Sequence, residues 1–136
     1  MYHSILVPID TSHIERVAAM LALAKKLCAS DGSIVCLNVL HEIPPLVVSH
    51  LPTGFHAGLM ADARETIEKE VSAANVDARV EIQTGHAAET TLAYADQIGA
   101  DLIIIGSHKP GLEDYFLGST ASRVVRHAKS SVLVQR

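Results

Sequence analysis

Apolar runs of strand length alternate with segments of helical period from one end of this chain to the other. His3-Ser4-Ile5-Leu6-Val7-Pro8-Ile9-Asp10 is almost continuously apolar, as a strand buried on both faces requires. Val17, Met20, Leu21, Ala24, Leu27 and Cys28 then recur at helical spacing, with Thr11 or Ser12 available as cap. Asp31-Gly32 is expected to end that helix and to turn the chain into a second buried strand, Ser33 to Leu40. Residues 41–58 break the rhythm with Pro44, Pro45, Pro52, Gly54 and Gly58, and long irregular segments in compact domains are often functional. Leu59, Ala63, Ile67, Val71 and Ala74 form the next helical stripe. Ala78 to Thr84 alternates apolar and polar residues, which fits an edge strand. Gly85 leads into a helix carrying Ala88, Leu92, Ala95 and Ile98, which Gly99 ends. Asp101 to Gly106 is the most apolar strand. After a loop from Ser107 to Leu117, a helix over Ser119 to Ala128 is expected to turn Ala121, Val124, Val125 and Ala128 inward. Ser131 to Val134 is a last short strand.

The order is β-α-β-α-β-α-β-α-β. Each parallel crossover is right-handed and must be covered, so this alternation predicts an α/β fold with helices on both faces of a parallel sheet. The first and fourth strands are the most apolar. A doubly wound, Rossmann-like five-stranded sheet in the order 3-2-1-4-5 sets them side by side at the centre. The winding reverses between them, and ligands bind in the crevice at the carboxyl ends of such strands. With 136 residues, the chain makes one domain over 1–136. An apolar fraction of 49% supplies a real core, and with 4% aromatics and no Trp that core is aliphatic.

A formal net charge of −4 argues against a nucleic-acid partner, which would need a basic face. Cys28 and Cys36 do not form a CxxC pair and give no metal or redox signature. No apolar run approaches the ~18 residues of a membrane span. The start, Met1 to Pro8, lacks the basic region and small-residue cleavage site of a secretory signal. The expectation is a cytoplasmic domain without a membrane partner.

Two loops should meet at the crevice. Pro8-Ile9-Asp10-Thr11-Ser12 follows the first strand. Gly106-Ser107-His108-Lys109-Pro110-Gly111 follows the fourth and leads to Gly118-Ser119-Thr120-Ala121. The second has the ingredients of an anion cradle. Its glycines permit close backbone approach, the helix start offers unpaired N–H groups, and Ser119, Thr120 and Lys109 add donors and charge. Taken alone, Gly118-Ser119 is an ordinary loop end and helix cap; two glycine clusters at one crevice edge favour the cradle. Asp10 is read as an acceptor for ribose hydroxyls, as a Mg²⁺ ligand, or as the cap of the following helix. Val39 and Leu40, at the end of the second strand, suit an adenine ring or are plain sheet core.

These residues resemble a known family. Ile5 to Asp10, Ile103-Ile104-Ile105-Gly106-Ser107-His108, and the tail from Leu117-Gly118-Ser119-Thr120-Ala121 through Val124-Val125-Arg126-His127-Ala128 to Ser131-Val132-Leu133-Val134 resemble the universal stress proteins over essentially the whole chain. Nucleotide-binding members carry Gly-x-x-Gly, nine residues, then Gly-Ser/Thr. Gly106 and Gly118-Ser119 match its ends, but Lys109 stands at the second glycine and the spacing is one residue short. The loop is more similar to that of the F and G type bacterial members. The resemblance implies ATP as ligand, with or without Mg²⁺. Asp10 would contact the sugar or phosphates, Val39 the adenine through its backbone, and Ser119 to Ala121 the phosphates. Pro8, Ile9, Thr11, Leu40, Gly106, Ser107, His108, Lys109 and Gly118 complete the implied site.

No catalytic constellation or P-loop is present, so any ATP hydrolysis should be slow. Of the eight histidines, His108 is the best functional candidate because it lies in the phosphate-side loop, and none has metalloprotease spacing. His41, His50 and His56 share one segment, where an incidental metal contact is the most that is expected. Glu113 and Asp114 add negative charge that opposes the cradle, unless they face solvent or bind Mg²⁺, and Tyr115 and Phe116 either close over the site, pack between subunits or anchor the loop. The terminal strand, Ser131, Val132, Leu133 and Val134, would leave an apolar sheet edge. Antiparallel pairing with a second copy relieves it, and the resemblance implies the same homodimer. The reading is an adenine-nucleotide-binding regulatory protein whose occupancy orders the 107–118 loop. Its rivals are a slow ATP hydrolase using Asp10 and His108, and an interaction module that binds no nucleotide.

Overall fold

The computed structural model describes residues 1–107 and 117–136. His108, Lys109, Pro110, Gly111, Glu113, Asp114, Tyr115 and Phe116 lie outside the described residues, and with them the readings made for that loop.

Five strands, β1 (Tyr2–Pro8), β2 (Cys28–Leu40), β3 (Arg79–Thr84), β4 (Leu102–Gly106) and β5 (Ser131–Gln135), form one sheet in the order β3-β2-β1-β4-β5. Every pairing is parallel. The helices are α1 (Val17–Leu27), the short α2 (Pro45–Val48), α3 (Phe55–Ala73), α4 (Ala87–Ile98) and α5 (Ser119–His127). The fold is thus the expected doubly wound, Rossmann-like sheet, with β3 and β5 at its edges.

Alternation within the central strands builds two cores. Ile5, Val7 and Ile9 join Ile34 and Cys36 against Val17, Met20, Leu21 and Ala24 of α1 and Ala63, Ile67 and Val71 of α3. On the opposite face Leu6, Val35, Leu37, Ile103 and Ile105 meet Ala88, Tyr94 and Ala95 of α4 and Ala121 and Val124 of α5. Ile5, Leu6, Ile103 and Ile104 are wholly buried. Full burial of each such side chain is worth about 1.5–3 kcal/mol.

Several local details differ from the sequence expectations. The first helix ends at Leu27, and residues 28–33 already belong to β2. The register against β1 slips there, with Tyr2 opposite Cys28 but Ser4 opposite Ser33. Gly32 serves this irregularity: a Cβ would sit 2.7 Å from Cys28 Sγ and 3.1 Å from the His3 carbonyl oxygen. A 3-10 turn over Thr11–Arg16, kinked at His13, precedes α1, so the capping role falls to Asp10 rather than to Thr11 or Ser12. Val125 is 44% exposed; Ala121, Val124 and Ala128 alone make the inward stripe of α5. Residues 41–58 include α2, and Gly54 takes a left-handed conformation just before α3.

Asp101 fastens the two central strands at the end away from the crevice. Its carboxylate accepts from the backbone N–H of His3 at 2.8 Å and of Ser4 at 2.9 Å, while its own N–H donates to the Ser4 carbonyl. Burial pushes this carboxyl up, but the N–H groups of His3, Ser4 and Asp101 itself, with the His3 charge, outweigh it and hold the pKa below the ordinary value. A carboxylate with a depressed folded pKa stabilises the fold above its unfolded value, and that contribution is lost as pH falls through the folded value. Asp101→Asn should therefore cost about 1 kcal/mol at neutral pH. In paired urea melts the gap between wild type and variant should shrink below about pH 4.

Candidate functional site

Both central loops open onto one cleft at the carboxyl ends of the strands, with a volume of about 470 Å³. Small-molecule pockets span about 300–1,000 Å³. The β1 exit contributes Pro8, Ile9, Asp10 and Thr11, and the β2 exit contributes Val39 and Leu40. Gly106 and Ser107 line it from β4, and Gly118, Ser119, Thr120 and Ala121 from the start of α5. Apart from Ser12, every described residue expected at the crevice therefore lines this cleft.

The first wall is rigid. Ile9 N–H donates to the Leu37 carbonyl at 2.8 Å, prolonging the β1–β2 pairing beyond Pro8. Asp10 then turns the chain: its Oδ1 accepts from Ser12 N–H at 2.9 Å and from Ser12 Oγ at 2.6 Å. The capping reading of Asp10 is realised, with the residue still exposed at the cleft. On the other side, Gly118 is the N-cap of α5, and no side-chain hydrogen bond caps that helix. The first intrahelical bond runs from Ser122 N–H to the Gly118 carbonyl, so the N–H groups before it have no partner within the helix. A helix start of this kind, with its dipole, attracts anions.

Several lining residues were not anticipated. Arg16, half-buried at the end of the 3-10 turn, donates from its guanidinium to the Ser107 carbonyl and so bridges the β1 and β4 exits. Asn38 and Thr91 are the buried polar side chains among the described residues, and both line the cleft. Asn38 Nδ2 donates to the Ile9 carbonyl at 2.8 Å, whereas its Oδ1 is buried without a partner among the described residues. A polar residue inside the apolar run Ile34 to Leu40 was the available signal for Asn38. Thr91 falls between Ala88 and Ala95 on the inward stripe of α4. No sequence pattern marks Arg16, because its role depends on where Ser107 comes to lie.

Other chemistry is thinly represented. Burial pushes the Cys36 thiol up to about 12, so it stays protonated at neutral pH. Cys28 is raised as well, by burial first and then by the Asp101 and Asp31 charges. Among the described residues no group of three His, Cys, Asp or Glu side chains is placed to hold a metal ion, and His56 instead meets Thr84 Oγ1 at 3.1 Å. No described helix is long and apolar enough to cross a membrane.

Comparison with known proteins matches residues 1–136 to the universal stress protein family model. The chain belongs to the universal stress protein family. It is 32% identical to universal stress protein G of Escherichia coli O157:H7 and of Shigella flexneri, with both chains covered in full. Among solved structures, it is similar to hypothetical protein MJ0577, with a TM-score of 0.76 and 28% identity, covering 98% of this chain and 95% of the other. UspA of Lactobacillus plantarum gives 0.71 and 28%, covering 99% and 98%. Two solved universal stress proteins of lower identity share the fold and carry adenine nucleotides. One is a complex with cAMP (TM-score 0.65, 21% identity, covering 99% and 97%) and the other, from Arabidopsis thaliana, has AMP bound (0.64, 16%, covering 97% and 90%).

The bond from Asn38 to Ile9 ties the β2 exit to the β1 exit under the cleft. Asn38→Ala strips the buried Ile9 carbonyl of its donor and should cost about 2 kcal/mol. The measurement is a urea melt, with an unchanged slope marking a loss of stability alone.

Proposed function

We propose that this universal stress protein binds an adenine nucleotide in the cleft and acts as a regulatory stress-response factor, with ATP, alone or with Mg²⁺, as its ligand. One observation carries the reading: the cleft joins the open start of α5 to the ends of β1, β2 and β4. That arrangement pairs anion-seeking N–H groups on one side with apolar strand ends, Val39 and Leu40, on the other. A nucleotide has the same polarity, phosphates at one end and a flat base at the other. The cAMP and AMP complexes of family members support the same choice of ligand.

In this reading Ser119, Thr120 and Ala121 face the phosphates, and the backbone at Val39 and Leu40 faces the base. Asp10 and Thr11 lie toward the ribose. The buried acceptor Asn38 Oδ1 gives the cleft unmet polar capacity that suits a ligand rather than solvent, and Thr91 lines the same cleft. The role is binding rather than turnover: Asp10, the one carboxylate among the described lining residues, already holds the 3-10 turn through Ser12. Occupancy changes the surface presented around the cleft, and a partner reads that change. A cytoplasmic setting belongs to the same proposal.

The proposal includes a homodimer through β5. That strand pairs with β4 on one side only among the described residues, and Val132, Leu133 and Val134 are half-buried along it. An unpaired apolar edge invites antiparallel pairing across a two-fold axis. Sedimentation equilibrium should return twice the chain mass, and the mass of a single chain would contradict this part.

Calorimetric titration tests the ligand. Wild-type protein should bind ATP, and Gly118→Val should weaken it at least about tenfold by placing a branched side chain at the start of α5. The φ of −61° and ψ of 162° at Gly118 suit any residue, so the variant should keep its backbone. Absence of ATP binding by the wild type, or binding indifferent to Gly118→Val, would overturn the proposal.

A further inference from the structure

We infer that Arg16 makes the cleft selective for ligand charge, recognising a phosphate group at the β4 side and so favouring a charged nucleotide over a neutral nucleoside. The inference rests on the nucleotide reading for the base of the ligand, but not for its charge. Arg16 is the sole Arg or Lys among the described residues that line the cleft. Its guanidinium is half-buried, and its partner is the uncharged Ser107 carbonyl. Among the described residues no ion pair joins Arg16 to a carboxylate. Asp10, the carboxylate among the described lining residues, accepts from Ser12 N–H and Ser12 Oγ.

A guanidinium offers five N–H donors in a fixed fork, of which a single carbonyl uses little. Withdrawing such a cation from water without an anion is unfavourable. A phosphate supplies both the missing charge and the matching oxygens, in charge-assisted bonds about twice as strong as neutral ones. The position is consistent with that use. Ser107 follows the last residue of β4, while Val39 and Leu40 end β2; β1 separates those two strands. Arg16 is therefore fixed on the side of the cleft away from the apolar strand ends. Its tether keeps the side chain in place before any ligand arrives, which lowers the ordering cost of binding.

Titration of wild type, Arg16→Gln and Arg16→Lys with ATP, adenosine and inorganic tripolyphosphate tests this. Arg16→Gln should weaken ATP about 10- to 100-fold and leave adenosine unchanged. Arg16→Lys, which keeps the charge but loses the fork, should fall between. Equal loss of ATP and adenosine would mark Arg16 as structural and overturn the inference, as would ATP affinity indifferent to Arg16→Gln. The two readings fail separately. Arg16-dependent tripolyphosphate binding without adenine-dependent affinity would sink the adenine reading and uphold Arg16. ATP and adenosine binding with no Arg16 dependence would do the reverse. A wild type that takes none of the three probes overturns both.

Discussion

The parallel pairing of β1 with β4 is the constraint from which the rest of the molecule follows. Ile5 lies opposite Leu102 and Leu6 opposite Ile103, and all four side chains are buried. Because β2 and β3 are laid down on one side of this pair and β5 on the other, the helices are forced onto opposite faces. The connections leaving β1 and β4 consequently diverge. A cleft at their carboxyl ends is the geometric result of that divergence, whatever residues happen to line it. Asp101 closes the opposite end of the same pair through the N–H groups of His3 and Ser4, so the strands are pinned where no ligand enters.

Function is then a matter of what this chain places around the gap. Three local devices shape it. Asp10 folds the β1 exit back through Ser12, Asn38 binds that exit to β2 through the Ile9 carbonyl, and Arg16 reaches across to Ser107 beyond β4. Each bond joins segments far apart in the chain or turns it sharply, and together they shape the walls of the cleft. The uncapped start of α5 faces the same space.

The strand order, the two edge strands, the cleft and each described lining residue proposed for it were legible in the sequence, because they follow from hydrophobic period and from the positions of Gly and Asp. Gly99 illustrates the reliable kind of signal: it ends α4 in a left-handed conformation with φ of 63° that favours glycine. What was not legible depended on tertiary context. The helix before β2 stops at Leu27 because residues 28–33 are drawn into pairing beside β1, an irregularity that Gly32 admits sterically. Val125 looked inward by composition, yet the stripe through Ala121, Val124 and Ala128 already fills the space under α5. Arg16 carried no local mark, since its importance arises from Ser107, distant in sequence.

Amide hydrogen exchange with and without ATP tests the central claim most directly. The account predicts slower exchange at residues 9–11, 38–40, 106–107 and 119–121, the four segments that meet at the cleft, with β3 and the far end of β1 unchanged. Protection confined to other segments, or no protection at saturating ATP, would contradict it.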